Sequence, residues 1–457
     1  MGTGDRGGKS SYSRIDVLRL RALLGILALT IATPQCVWTD LDAYSSEYGQ
    51  IPDAGSGGST GLVDADSCAC AVGQECVNGV CETCEPMWIY DHKALRQGDQ
   101  RGIDHAYDSS RKTLYVGSAR QTGQDPARAY FAEVHTCRGT LLHEVDGPTV
   151  QGQKVPGLQV VRRNGASLFA KLRQDNSATS PPGYAVYDAT THSFTQLVRA
   201  QRFSPNSLSE ELWSLDVSQA GKVWMYGSWT DAANVITPLA LRSDGSGKTC
   251  LADYPDFAPA AGRAITTIND DVYTCVPVGT ELRIQHFKDS ACDIASCNCP
   301  VADSLPPLPF VAGYLQVMAA KVVGNSLVVV GFYGKDATDW VGFVAQLNFI
   351  GQTWGKPYLY DPTTSLDGFT TLDSDGSSVY AAGFQNYDPA DLNTSVTEFL
   401  VFGLPITDTS TPKKISAPNI RGAYALAVDG DGFLATGYSS ANTTNGRSIR
   451  CTQDACP

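Results

Sequence analysis

The sequence predicts an all-β protein, a seven-bladed β-propeller of four-stranded antiparallel blades, and three observations predict it. A hairpin unit recurs at a nearly even interval, its residue types are those of strands and tight turns, and the length available fits seven copies. Anchored on the second apolar residue of its second strand, the unit falls at Tyr115, Phe169, Trp224, Tyr273, Val328, Tyr380 and Leu434, in steps of 54, 55, 49, 55, 52 and 54 residues. Four antiparallel strands per step, with no helical period between copies, is the pattern of propeller blades.

The clearest copies are 105–117, 369–383 and 424–437, each an apolar strand, a polar turn and a second strand that ends at glycine. The turns carry Asp-Gly and Ser-Asp-Gly sequences, which supply the positive φ of a hairpin reversal, while β-branched and aromatic residues fill the strands. A third strand follows a polar loop, as at 341–347 and 398–402, and a fourth follows that, as at 140–145 and 194–198. The anchors span 319 residues in six steps, so seven blades need about 372, and residues 85–457 number 373.

The last copy has no fourth strand after 448–451. The segment 86–91, Pro-Met-Trp-Ile-Tyr-Asp, precedes the first hairpin and is similar to the fourth-strand segment 356–361, Lys-Pro-Tyr-Leu-Tyr-Asp. Residues 86–91 are therefore expected to complete the last blade and close the ring without an exposed edge. The same closure is expected to bring Cys84 near Cys451 or Cys456.

Composition bounds the rest. The chain has 457 residues, 42% hydrophobic, which excludes a disordered protein. Its 47 acidic and 34 basic side chains give a net charge of -13, which repels phosphate backbones, so nucleic acid is not an expected partner. Residues 1–35 hold five basic and two acidic side chains, and without them the charge is -16. Arg6, Lys9, Arg14, Arg19 and Arg21 precede an apolar run, 22–33, in the order of a secretory signal peptide. That run rises about 18 Å as a helix, short of a hydrocarbon core of about 30 Å.

Four segments follow: a signal peptide at 1–35, a flexible tether at 36–66, a cysteine-rich disulfide module at 67–84 and the propeller at 85–457. Gly57-Gly-Ser-Thr-Gly61 matches the nucleophile-elbow pattern but lies in the tether, where no strand-to-helix turn exists to give it meaning. Cys36, just beyond the apolar run, resembles the lipid-modified cysteine of a bacterial lipoprotein, although Gln35 and Thr33 depart from that family's pattern. Cleavage near Ala32 and an ordinary disulfide at Cys36 stand as the alternatives. The Gly-Gln-x-Cys-x-x-Gly-x-Cys portion at 73–81 resembles the small cysteine-rich modules of exported lipoproteins of Gram-negative bacteria. The resemblance implies an exported protein in the periplasm, on the outer membrane as a lipoprotein, or outside the cell, touching a membrane only through its signal or a lipid anchor.

Behind an export signal, dense cysteines read as disulfides. The candidates are Cys68, Cys70, Cys76, Cys81 and Cys84 in the module, then Cys137, Cys250, Cys275, Cys292, Cys297, Cys299, Cys451 and Cys456. Five in the module is an odd number, so one must pair outside it or stay unpaired.

The six histidines form no H-x-x-H pattern, so no metal ligand and no catalytic residue is assigned. Asp375-Gly and Asp429-Gly-Asp431-Gly sit where hairpin turns are required, and calcium is the one cofactor left open. The loops joining second to third strands emerge on one face of a propeller, and several combine aromatic and acidic residues. Trp229, Asp231, Tyr333, Asp336, Trp340, Tyr387, Asp388 and Tyr438 are the candidate ligand-binding residues, since ring faces stack on sugars or peptide side chains and carboxylates take hydroxyls. The expected function is a monomeric, non-enzymatic binding or scaffold protein that takes a glycan or protein partner on this face. The alternative is a glycan lyase or hydrolase acting in the central funnel, which needs converging carboxylates on innermost strands that read as mostly apolar or hydroxylic.

Overall fold

The computed structural model describes residues 74–77, 80–92, 103–120, 127–150, 153–173, 183–199, 209–230, 233, 235–245, 249–251, 264–310, 314–334, 339–386, 396–417, 420–430, 432–439, 442–452 and 454–456. The expected signal peptide and tether, with Cys36, Cys68 and Cys70, lie outside these residues.

Seven antiparallel meanders follow one another, each with its first strand innermost. The innermost strands of blades 1 to 7 are Asp104–Asp108, Leu158–Asn164, Ser209–Val217, Ala264–Ile268, Tyr314–Val323, Gly368–Ser374 and Ile420–Asp429. They pack in that order around the centre, and the seventh meets the first. All seven sequence anchors fall in second strands: Thr113–Arg120, Ser167–Leu172, Val223–Thr230, Asp271–Val278, Ser326–Gly334, Ser378–Gln385 and Gly432–Ser439. Blade 5 departs from four strands, because Thr353–Trp354 and Tyr358–Tyr360 both pair with its third strand.

The ring closes as expected. Met87–His92 pairs antiparallel with Asn442–Thr452, from Met87 opposite Cys451 to His92 opposite Gly446, and so supplies the outermost strand of blade 7. Trp88 locks this strand to blade 1. Its indole Nε1 donates to the Thr136 carbonyl in the turn between the third and fourth strands, and the ring lies against Gly139 of the same turn. Gly139 has φ 63°, and an added Cβ would stand 2.7 Å from the Trp88 ring, so glycine is required there twice over.

The expected partner of Cys84 is overturned. Cys84 bonds Cys137, while Cys451 bonds Cys456 within the C-terminal turn. The closing strand enters over the third-to-fourth-strand turn of blade 1, where Glu85 N donates to Cys137 O at 2.8 Å, so Cys84 is delivered to that turn. The module's odd cysteine thus pairs outside it. Cys250 in the outermost strand of blade 3 bonds Cys297 in the 289–300 insertion of blade 4, which Cys292–Cys299 also closes. Cys81 is disulfide-bonded, and the backbone of Cys76 pairs with it across the hairpin Gln74–Val77 and Val80–Thr83. Cys275, expected among the disulfides, is instead a buried thiol in the apolar layer between blades 4 and 5, where small apolar contacts suit it.

Strands such as Ser326–Gly334 are buried on both faces because each sheet packs between two neighbours, which is why Leu327-Val-Val-Val330 reads as a continuous apolar run. Outermost strands such as Thr140–Asp146 are largely exposed. The innermost strands of blades 2, 3, 5, 6 and 7 each carry a β-bulge, at Gln159/Val161, Leu212/Ser214, Val317/Ala319, Phe369/Thr371 and Ala423/Ala425. In blades 3, 5, 6 and 7 the second-strand residue opposite is Gly227, Gly331, Gly383 or Gly437, and the inner-strand carbonyl occupies the place a Cβ would take. The recurring strand glycine is therefore the complement of a bulge.

Candidate functional site

Strand alternation sends the second-to-third-strand loops and the blade-to-blade connections to one face, and the tight turns to the other. Trp229 and Tyr333 end second strands of blades 3 and 5, Trp340 begins the third strand of blade 5, and Tyr438 lies near the end of the second strand of blade 7. All four belong to the loop face. Asp231, Asp336, Tyr387 and Asp388 lie outside the described residues.

Trp229 and Tyr333 are half-buried, Trp229 on the apolar layer between blades 2 and 3 and Tyr333 with its ring 5.5 Å from Phe310. Trp340 and Tyr438 are buried. Trp340 stacks on Phe332, 4.9 Å away at 5°, and its backbone bonds Ser365 and Asp367 of the connection into blade 6. Tyr438 packs edge-on against Tyr424 at 5.8 Å. These two rings hold the loop face together from beneath, because the apolar surface of the blade ends must be covered wherever loops leave it.

Sequence reading missed the acids of the innermost strands, except Asp429, which it assigned to the hairpin turn and not to the strand end where it lies. Asp108, Asp216, Asp373 and Asp429 close inner strands, and each reaches the following blade. Asp108 pairs with Arg163 at 2.8 Å; Asp216 accepts from Thr267 N at 2.6 Å; Asp373 accepts from Val428 N at 2.6 Å; Asp429 accepts from Tyr107 Oη at 2.5 Å and Lys112 at 3.0 Å. Asp104, at the other end of its strand, accepts from Val161 N and Arg162, both at 3.2 Å. Burial raises the Asp216 and Asp373 carboxyls above the ordinary value, against the pull of Arg162 and Lys321. A signal was present: the copies read Tyr-Asp108, Leu-Asp216, Leu-Asp373 and Val-Asp429 just before the hairpin turn.

Toward the loop face, Lys171 is buried in blade 2 with its ammonium 2.5 Å from Gln159 Oε1. Burial lowers its pKa to about 7, with Glu211 opposing. Asp375, one of the calcium-like turn residues, accepts from Ser377 N, Ser377 Oγ and Ser378 N of its own turn at 2.7–2.8 Å. Among the described residues no group of three or more His, Cys, Asp or Glu could hold a metal ion, and no helix is long and apolar enough to cross a membrane.

The topology defines a closed seven-bladed propeller with a disulfide-anchored N-terminal hairpin. Among solved structures, it is similar to Drosophila plexin A in complex with semaphorin 1b, at TM-score 0.44 and 9% identity over 80% of this chain and 88% of that one. It is also similar to BamB from Moraxella catarrhalis, at 0.39 and 11% over 77% and 84%, and to the WD40 β-propeller domain of Doa1, at 0.39 and 13% over 63% and 76%. No family model and no curated protein matches the chain.

Proposed function

We propose that the chain is an exported, non-enzymatic binding or scaffold protein that takes a glycan or protein partner on the loop face of its propeller. One observation carries the reading. Cys84–Cys137, with Glu82 paired to Arg138 at 3.1 Å and to His135 at 3.6 Å, fastens the N-terminal hairpin on the tight-turn side of blade 1. A chain held by its N-terminus is thereby gripped on the face opposite the loops, which leaves the loop face clear for a partner. Disulfides between blades 3 and 4 and from the hairpin to blade 1 suit an oxidising compartment. The inner-strand carboxylates that a hydrolase would use are bonded to neighbouring blades, which favours binding over catalysis in the funnel.

The test is an array of glycans and peptides probed with the exported chain, with and without calcium, beside Trp229→Ala and Tyr333→Ala. A ligand whose binding both substitutions weaken supports the loop face. Hits indifferent to both, or none in either condition, overturn it.

A further inference from the structure

Glu133, His143 and His192 meet where blades 1 and 2 adjoin. Glu133 lies in the third strand of blade 1, and the sheet register sets His143 of the fourth strand directly opposite it, on the same face of the sheet. His192 comes from blade 2, from the turn between its third and fourth strands, where its φ of 51° places it in the left-handed region. That conformation brings His192 Nδ1 to 2.9 and 3.1 Å from the two Glu133 carboxylate oxygens. Glu133 is itself buried and accepts a further hydrogen bond from Tyr187 Oη at 2.6 Å, so its carboxylate is fixed in place. The His143 and His192 ring centroids are 5.1 Å apart, with the planes at 48°.

We propose that His143 and His192 are the two protein ligands of a surface site for a zinc-class divalent cation, with Glu133 as its positioning residue. A carboxylate only accepts, so the proton of His192 sits on Nδ1, and the Nε2 lone pair is the one left for a metal. The ring spacing agrees with this. With metal–nitrogen distances of about 2.1 Å at a tetrahedral ion, two imidazole centroids stand about 5.2 Å apart. The His192 side chain is 50% exposed, so an ion enters from solvent and water fills the remaining positions. A set of two histidines lies below the three-residue clusters absent among the described residues. The sequence could not announce it, because the histidines are 49 positions apart on different blades.

Isothermal titration of the full chain with zinc ion alone, in a buffer that does not chelate, tests the site. The expected result is one equivalent bound with a micromolar dissociation constant. His143→Ala and His192→Ala should each weaken it at least tenfold with the fold unchanged by circular dichroism. Glu133→Gln should weaken it about tenfold and shift its pH midpoint, because the amide no longer dictates which nitrogen of His192 is protonated. No binding by the wild type, or wild-type affinity retained in both histidine variants, overturns the proposal, and so does loss only in variants that also lose their fold.

Discussion

His92 Nε2 lies 2.8 Å from Ser448 Oγ across 356 residues of chain, and the bond is the middle of a buried polar line through the closing seam. Tyr130 Oη stands 3.2 Å from His92 Nδ1; Ser448 Oγ is 2.9 Å from Thr436 Oγ1, which is 2.6 Å from His105 Nδ1. The line joins blade 1, the closing strand and blade 7. Its histidines work as neutral hydrogen-bonding groups, because burial leaves no water to support an imidazolium.

That neutrality makes the ring acid-sensitive. Burial lowers the His92 pKa to about 3 and that of His105 well below the ordinary 6.5. As pH falls below 6.5 the unfolded chain takes up protons that the folded chain refuses, so stability is lost progressively toward pH 3. Each histidine contributes a slope of up to about 1.4 kcal/mol per pH unit. Asp216 and Asp373, with raised carboxyl pKa values, act in the opposite direction on the high side of 3.8. The comparison that isolates the seam is urea unfolding of the wild type and His92→Gln from pH 7 to 5. The variant should show the shallower loss, and parallel curves would contradict the assignment.

The bulge-facing glycines make a second prediction. At Gly383 the Gly368 carbonyl stands where a Cβ would be, and at Gly227 the Glu211 carbonyl does. Neither neighbour is a side chain that can rotate away. Gly383→Ala and Gly227→Ala should each cost on the order of 1–3 kcal/mol in chemical denaturation, the scale of overpacking. Gly403→Ala, where an added Cβ meets nothing within 4 Å, is the control and should stay within about 0.5 kcal/mol.

Those glycines also mark how far the sequence could be read. The anchors from Tyr115 to Leu434 landed on second strands because each blade is a local meander, whose hairpin and turn chemistry are written within 55 residues. The closing strand 86–91 was legible for the same reason, since it repeats the pattern of a fourth strand. What bonds one blade to the next was not legible. Asp373 to Val428, Cys84 to Cys137 and Glu133 to His192 join residues about one repeat apart, and only the closed ring decides which of many polar residues meet. The burial of Trp340 and Tyr438 was not legible either, because a ring that covers a blade end and a ring that offers its face to a ligand have the same sequence.

Lys321 and Asp373 form a buried pair between blades 5 and 6, with Asp373 also holding Val428 N of blade 7. Removing one partner leaves an uncompensated charge, so Asp373→Ala should destabilise by about 3–5 kcal/mol. The double variant Lys321→Met, Asp373→Leu should recover most of that loss, since an apolar pair of similar volume avoids desolvating two ions. Denaturant midpoints of the two single variants and the double give the coupling directly. A double variant as unstable as the sum of the singles would mean that the two groups are not coupled and that the pair is no unit of stability.

The Cys84–Cys137 disulfide spans 53 positions, and it acts on the unfolded chain as well as on the docked hairpin. Closing a loop of that length lowers unfolded-state entropy by an amount equivalent to about 4 kcal/mol at 25 °C. The double variant Cys84→Ser, Cys137→Ser removes that constraint and leaves Trp88, His92 and the closing ladder in place. Two effects should therefore separate. Global stability should drop by about 2–4 kcal/mol, while limited proteolysis should begin to cut between the hairpin and Met87 before the blades unfold. Uniform loss of protection across blades 1 and 7 would instead mean that the disulfide, and not Trp88 with its ladder, holds the ring shut.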